Sequence, residues 1–386
     1  MRALVLNATW DPRPNYTVSE WEKQTGKAIT GSSVWRYPKL EVRDWPDPTP
    51  GPKEVVLEVR ACGVCGSDVH FYETDQEGYI LYPGLTKFPT ILGHEFSGRV
   101  VACGPEVETL RVGDMVTAEE MIWCGRCIPC RNGYPNQCEN LEEIGFTIPG
   151  AFAKYIVLDE KYCWKIDAIA ERLGDEEAAY ELGALTEPTC VAYNAMFERA
   201  HGFRPGHYVA VFGAGPIGLA ATGLARAAGA GLVVAFDVSP SRLELAKKVG
   251  ADYIYNPREV NPAEVLMTLS KGAGFDFYVE AAGAPQLTVP EMEKALAIDA
   301  KIVQIGRAAA RVPMYLERFQ VRHSQFFGAQ GHSGNGTFPN VIRLVASGKL
   351  DLRPIITARY GLEQAVEAIA STTKRAGGKV LVKPAQ

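Results

Sequence analysis

Cys124, Cys127, Cys130 and Cys138 place four thiols within fifteen residues. Four thiolates at this spacing can close a tetrahedral shell around zinc with no open position, which makes the expected site structural. Two other readings fit the same residues. A disulfide pair is disfavoured where thiols stay reduced. An iron–sulfur cluster is disfavoured because the ferredoxin run has a shorter last gap and a following proline, whereas seven residues precede Cys138 and Glu139 follows it. A second, scattered set comprises Cys65 in GVCGSDVH, His94 and Glu95 in GHE, and Glu187 in ALTEPT. A catalytic zinc takes three protein ligands and keeps one exchangeable position. Taken singly, each of these residues also has a bland reading: a small buried thiol or an ordinary salt-bridge partner. Spacing alone does not bring them together.

A third pattern, Val209-Ala-Val-Phe-Gly213-Ala-Gly215-Pro216-Ile217-Gly218, is a G-x-G-x-x-G turn between an apolar strand and a helix. The first glycine permits the tight turn, the second admits a pyrophosphate to the backbone, and the third lets helix and strand pack closely. Asp237 ends the next strand, 24 residues after Gly213, where a carboxylate can accept from the adenosine ribose hydroxyls. Its alternative role is to cap the helix that follows. A carboxylate there repels a 2′-phosphate and favours NAD over NADP, although Arg242 is close enough in sequence to reach either group.

These residues need elements to hold them. From Val191 onward the chain alternates strand and helix. The candidate strands are Val209–Phe212, Val233–Phe236, Tyr253–Tyr255, Phe275–Val279, Lys301–Ile305 and Gln325–Gly328, with helices such as Ser241–Val249 between them. That order predicts an α/β fold with a doubly wound parallel sheet of the Rossmann kind. The first third is strand-like and rich in turns: Glu54–Arg60 alternates, and GHEFSGRVVACG and RVGDMVTAEE read as short strands. The tail offers helices over Asn340–Ser347 and Leu362–Ser371 and a strand over Lys379–Val382, and could return to the first domain. The expected domains are 1–190, with a thiol lobe at about 119–140, then 191–332, then 333–386 as the return.

A length of 386 residues fits two domains. At 47% hydrophobic and 22% charged residues, wholesale disorder is excluded. The net charge of −5 leaves no basic footprint for nucleic acid or an anionic membrane. The apolar stretch from Tyr208 to Phe236 is broken by Gly213, Gly215, Pro216 and Arg226, so no membrane helix is expected. MRALVLNATW lacks the pattern of a secretory signal, and a cytoplasmic location is expected.

GVCGSDVH, GHEFSG, the four-cysteine lobe, GALTEP and VFGAGPIG with Asp237 occur in that order over nearly the whole chain. Together they resemble the zinc-dependent medium-chain alcohol and polyol dehydrogenase family. The resemblance implies a GroES-like, mostly-β catalytic domain beside a Rossmann domain, two zinc ions (one catalytic, one structural), NAD, a homodimer or homotetramer, and a small polyol or keto-polyol substrate. By the same resemblance Cys65 and His94 are zinc ligands. Glu187 stands where simple alcohol dehydrogenases carry cysteine, as in the sorbitol-type branch. Glu95 or Glu187 would ligate directly and the other through water, because a thiolate with two carboxylates around Zn²⁺ leaves a net charge of −1. Ser67 and His70 match the family's proton relay, and Ile217, Arg242, Ile305 and Gly306 fall near the dinucleotide. Two segments depart from the pattern or stay open. Trp10–Trp35 is longer than the family normally carries there and could cover the cleft or form a subunit interface. Glu73–Pro89, with Tyr79 and Tyr82, could line a polar pocket. A nucleotide-binding redox sensor and a zinc-free NADPH reductase are the competing functions.

Overall fold

The computed structural model describes residues 1–308, 311–332 and 334–385. The chain divides into two compact units. The first comprises Met1–Glu187, Ala358–Lys374 and Lys379–Gln386, and the second comprises Pro188–Thr357 and Arg375–Gly378. The expected return at 333–386 therefore starts later: residues up to Thr357 pack with the second unit. The helix Thr337–Ala346 explains this, because its buried Phe338, Val341, Ile342 and Val345 need an apolar surface there. Ser333 and Gln386, the ends of the expected segment, lie outside the described residues.

In the first unit, a mostly antiparallel sheet runs in the order Cys163–Lys165, Met115–Ala118, Glu95–Cys103, Glu54–Gly63, Lys379–Lys383, Ile356–Gly361, and Tyr155–Asp159 also pairs with Glu54–Gly63. Alternation in Glu54–Gly63 buries Val55, Leu57, Val59 and Ala61 completely, as a strand with one face on a core requires. A second, three-stranded sheet has Arg2–Trp10 at its centre, paired antiparallel with Trp35–Asp44 and Thr90–Ile91.

The Trp10–Trp35 excursion connects that first hairpin and is built into the unit. Helix Glu20–Thr25 starts at a capping box in which Ser19 and Glu22 exchange hydrogen bonds. Ala28, Val34 and Trp35 are buried in the core, and Trp10 and Tyr16 pack against it. Of the segment's aromatic residues Trp10, Tyr16, Trp21 and Trp35, Trp21 alone is exposed. Tyr79 and Tyr82 are buried too. The Arg13 guanidinium lies 3.9 Å over the Tyr79 ring, and Arg13 also pairs with Asp75 and Glu77. Tyr82 packs on Phe71 and Phe146. Both tyrosines are therefore packed within the unit.

In the second unit six parallel strands stand in the order Tyr253–Tyr255, Leu232–Phe236, Tyr208–Phe212, Phe275–Glu280, Leu296–Gln304, Gln325–Gly328. Chain order reverses between Tyr208–Phe212 and Phe275–Glu280, which opens a crevice at their carboxyl ends. Val209, Ala210 and Val211 are fully buried, as strands covered on both faces must be. The fifth strand begins at Leu296, earlier than the apolar run suggested. Among the described residues no helix is long and apolar enough to cross a membrane.

Candidate active site

Strand Glu54–Gly63 leads directly into helix Gly66–Tyr72, and Cys65 is the helix N-cap. The Cys65 backbone N–H donates to Asp68 Oδ2 at 2.8 Å, which fixes this turn. Ser67 and His70, three residues apart on the helix, share one face. His94 and Glu95 enter from the neighbouring strand, with Glu95 in register with Gly63. A thiol, an imidazole and a carboxylate, from Cys65, His94 and Glu95, thereby come within 4.8 Å of one another. Ser67 Oγ lies 3.4 Å from His94 Nε2.

Glu187 is buried and stands outside that triplet. Its charge still acts on His94 and on Lys379. Glu120, also buried, comes within 4.8 Å of Glu187 and was not singled out from the sequence.

Three further residues surround the triplet without having been foreseen. Asp68, fully buried, faces the other ring nitrogen of His94, with Oδ1 3.9 Å from Nδ1. Among the described residues neither atom has a hydrogen-bond partner. Phe146 packs on the imidazole at 4.7 Å between centroids. Lys379 reaches Glu95 from the last strand, with Nζ 2.7 Å from Oε1 and bonded also to Oε2 and to the Val64 carbonyl. Asp68 lies inside the GVCGSDVH motif, three residues after the N-cap, so a capping rule could have found it. Nothing local in the sequence marks Lys379.

Burial alone disfavours an imidazolium, but Asp68, Cys65 and Glu187 outweigh it and draw His94 well above its ordinary range. A buried pocket of such anionic character, with orphaned polar atoms on Asp68 and His94, suits a divalent cation that would replace the proton.

The second thiol set also converges. Cys124, Cys127, Cys130 and Cys138 lie within 4.8 Å of one another, and all are free thiols. Cys138 Sγ accepts from the Cys124 and Asn140 backbone N–H groups, both at 3.3 Å. Backbone donors at Arg126 and Cys127 bring the Cys124 thiol down to about 6, while burial and neighbouring thiols push Cys130 up to about 12. As thiolates, four sulfurs this close would need a cation among them. Their donor set is that of a closed zinc site.

In the second unit the glycine turn behaves as its pattern requires. A Cβ on Gly218 would sit 1.7 Å from the Gly213 carbonyl oxygen, whereas one on Gly215 would meet only Arg242, at 3.9 Å. The loop is therefore closed on its inner side and open where a pyrophosphate would approach. Pro216 opens the helix at its first position and Ile217 follows. Asp237 Oδ2 accepts from Ala214 N–H at 2.6 Å and Oδ1 from Ser239 N–H at 2.8 Å. The helix N-cap itself is Ser239. Asp237 thus ties the glycine turn to the next strand, and each of its oxygens has a lone pair left for a ribose hydroxyl. Gly215, Asp237, Arg242, Arg258 and Arg375 line one cavity of about 750 Å³. Arg242 also donates from Nε to the Gly377 carbonyl. Ile305 and Gly306 follow the fifth strand, and their N–H groups donate to the Glu280 carbonyl.

Comparison with known proteins agrees with this division. Residues 51–168 match the model of the alcohol dehydrogenase GroES-like domain and residues 216–347 that of the zinc-binding dehydrogenase domain. The chain is 46% identical to scyllo-inosose 3-dehydrogenase of Thermotoga maritima, covering 96% of each chain. It is 34% identical to L-threonine 3-dehydrogenase of Thermococcus kodakarensis, covering 87% of this chain and 92% of that one. A solved Thermotoga maritima structure described as an alcohol dehydrogenase superposes with a TM-score of 0.96 at 44% identity, over 99% of this chain and 100% of the other. With a GroES-like first unit, a doubly wound second unit and relatives matched nearly end to end, the chain belongs to the zinc-binding alcohol dehydrogenase family and is an oxidoreductase acting on CH–OH groups.

Proposed function

We propose that this enzyme oxidises a secondary hydroxyl of a cyclic polyol or keto-polyol with NAD, that its substrate is scyllo-inosose, and that it serves inositol breakdown. The observation that carries this reading is the near end-to-end likeness to the inosose enzyme, closer than that to the threonine enzyme. Cys65 and His94, with Glu95 or Glu187, would hold a catalytic zinc. The cysteines at 124, 127, 130 and 138 would hold a structural one. Gly213, Gly215, Pro216, Ile217, Gly218, Asp237, Arg242, Ile305 and Gly306 would receive NAD. When bound, zinc acidifies a hydroxyl and NAD accepts hydride. Half-buried Ser67 would accept the hydroxyl proton at Oγ while giving up its own, which would pass through the cofactor ribose to half-buried His70 and on to solvent. Asp68 would hold the His94 ring in place through Nδ1, as a carboxylate behind a metal-bound imidazole does. A cytoplasmic location and a homodimer or homotetramer complete the proposal.

The test is NADH formation by zinc-loaded protein on scyllo-inosose, myo-inositol, sorbitol, xylitol, 2,3-butanediol and L-threonine. The highest kcat/KM is expected for scyllo-inosose. A preference for sorbitol, butanediol or threonine would overturn the substrate and keep the chemistry.

Cofactor choice gives a separate prediction. Asp237→Ala removes two carboxylate acceptors and should narrow the preference for NAD over NADP by about 1–2 kcal/mol, the size of a charge-assisted hydrogen bond. Dissociation constants for both dinucleotides check it. An unchanged ratio would leave Asp237 only its structural bonds to Ala214 and Ser239.

A further inference from the structure

Glu280 ends the fourth strand of the parallel sheet, beside the point where strand order reverses, and is fully buried. Among the described residues its carboxylate is hydrogen-bonded only to donors. Oε2 accepts from Gly283 N–H at 3.2 Å and Gln304 Nε2 at 2.8 Å. Oε1 accepts from Ala284 N–H at 3.3 Å and Thr288 Oγ1 at 3.2 Å. Its backbone carbonyl accepts from Ile305 and Gly306 N–H at 2.9 and 3.0 Å. One residue therefore ties the turn at 281–284 to the turn at 304–306. The two turns are in intimate contact there: a Cβ on Gly306 would lie 2.4 Å from Gly283 N and 2.6 Å from Glu280 Oε2. The glycine turn closes against the same place, since a Cβ on Gly213 would lie 2.6 Å from Ala282 N. Ala281, Ala282, Ala284 and Thr288 then line the same cavity as Gly215 and Asp237.

We propose that Glu280 is a positioning residue for the dinucleotide, holding the turns after the fourth and fifth strands in the arrangement that forms one wall of the binding crevice. This rests on the dinucleotide reading of the cavity. An ionised carboxylate is acceptor-only and suits four donors. Burial pushes the Glu280 carboxyl above its ordinary range, with the four donors opposing that rise. A glutamine at 280 would keep the shape but turn an NH₂ toward one donor pair, which loosens one of the two turns without emptying space.

The experiment is NAD titration calorimetry on full-length, zinc-loaded wild type and Glu280→Gln, with the unfolding midpoint measured in the absence of NAD. The NAD dissociation constant should rise about tenfold, equivalent to about one hydrogen bond to a charged group, and KM for NAD should rise with it while kcat at saturating NAD changes less. A purely structural role would lower the midpoint and leave the dissociation constant, measured well below it, unchanged. A constant within about twofold of wild type in the folded variant overturns the proposal. Should Glu280→Gln fail to fold, Gln304→Leu removes the amide that donates to both Glu280 Oε2 and the Gly306 carbonyl and should weaken NAD in the same direction; an unchanged constant there overturns it equally. Wild type that fails to bind NAD at all would instead overturn the dinucleotide reading.

Discussion

Replacing Cys65 by alanine should abolish turnover while the folded chain keeps its NAD affinity and its second metal. The thiol is the one soft donor in the triplet with His94 and Glu95. Without it a nitrogen and a carboxylate already paired with Lys379 remain, too weak a set to retain zinc in competition with water. Loss of Lewis-acid stabilisation worth several kcal/mol corresponds to a fall in kcat/KM of about 10⁴-fold or more. The glycine turn and Asp237 belong to the other compact unit, so NAD binding should change little. Metal analysis should find one zinc per chain instead of two. Cys127→Ala provides the contrast: it opens the four-thiol lobe, and its first symptom should be a lower unfolding midpoint. Normal activity in Cys65→Ala would remove the catalytic-zinc assignment altogether.

What could be read from the sequence follows the range of the interactions. The four thiols close within one short loop, so their spacing nearly determines their geometry. The glycine turn with Asp237 is a single strand–helix–strand step. The strands of the second unit were legible because parallel strands buried on both faces read as apolar runs. The first unit was legible only as short strands, since the convergence of Cys65, His94 and Glu95 depends on which antiparallel strands pair and in what register. Trp35 illustrates the limit: its pattern allowed a lid or an interface, and its burial comes from neighbours such as Phe88, 53 residues away and 4.9 Å between ring centroids. Residues 334–357 pack with the second unit, against expectation, for a related reason. An amphipathic helix shows that it needs a partner surface, but its sequence does not say whose.

Lys379→Met should destabilise the first unit by about 3–5 kcal/mol, the usual cost of leaving a buried charge without its partner. Strand Glu54–Gly63 lies between the strands that carry the two charges: Gly63 is in register with Glu95 on one side and with Leu381 on the other. A side chain at position 63 would occupy the pair's own space, since its Cβ would fall 2.1 Å from Glu95 Oε2 and 3.2 Å from Lys379 Cδ. Both charged side chains are 1% exposed. Burial alone would discharge the lysine, yet Glu95, with Cys65 and Glu187 behind it, raises its affinity for the proton. The ion pair therefore does two things. It pins the C-terminal strand onto the sheet, and it engages both oxygens of Glu95, whose carboxylate also lies within 4.8 Å of the Cys65 and His94 donor atoms. Removing the cation releases Glu95 in a pocket that is already anionic. Denaturant unfolding of the zinc-stripped protein isolates the first effect, and Lys379→Met/Glu95→Leu should recover most of the loss because the unpaired charge goes with its partner. Zinc affinity isolates the second: it should rise in Lys379→Met, where Glu95 is free to ligate, and return toward wild type in Lys379→Met/Glu95→Gln. Zinc affinity unchanged across all three would mean that Lys379 secures the strand and leaves the choice between Glu95 and Glu187 to the metal alone.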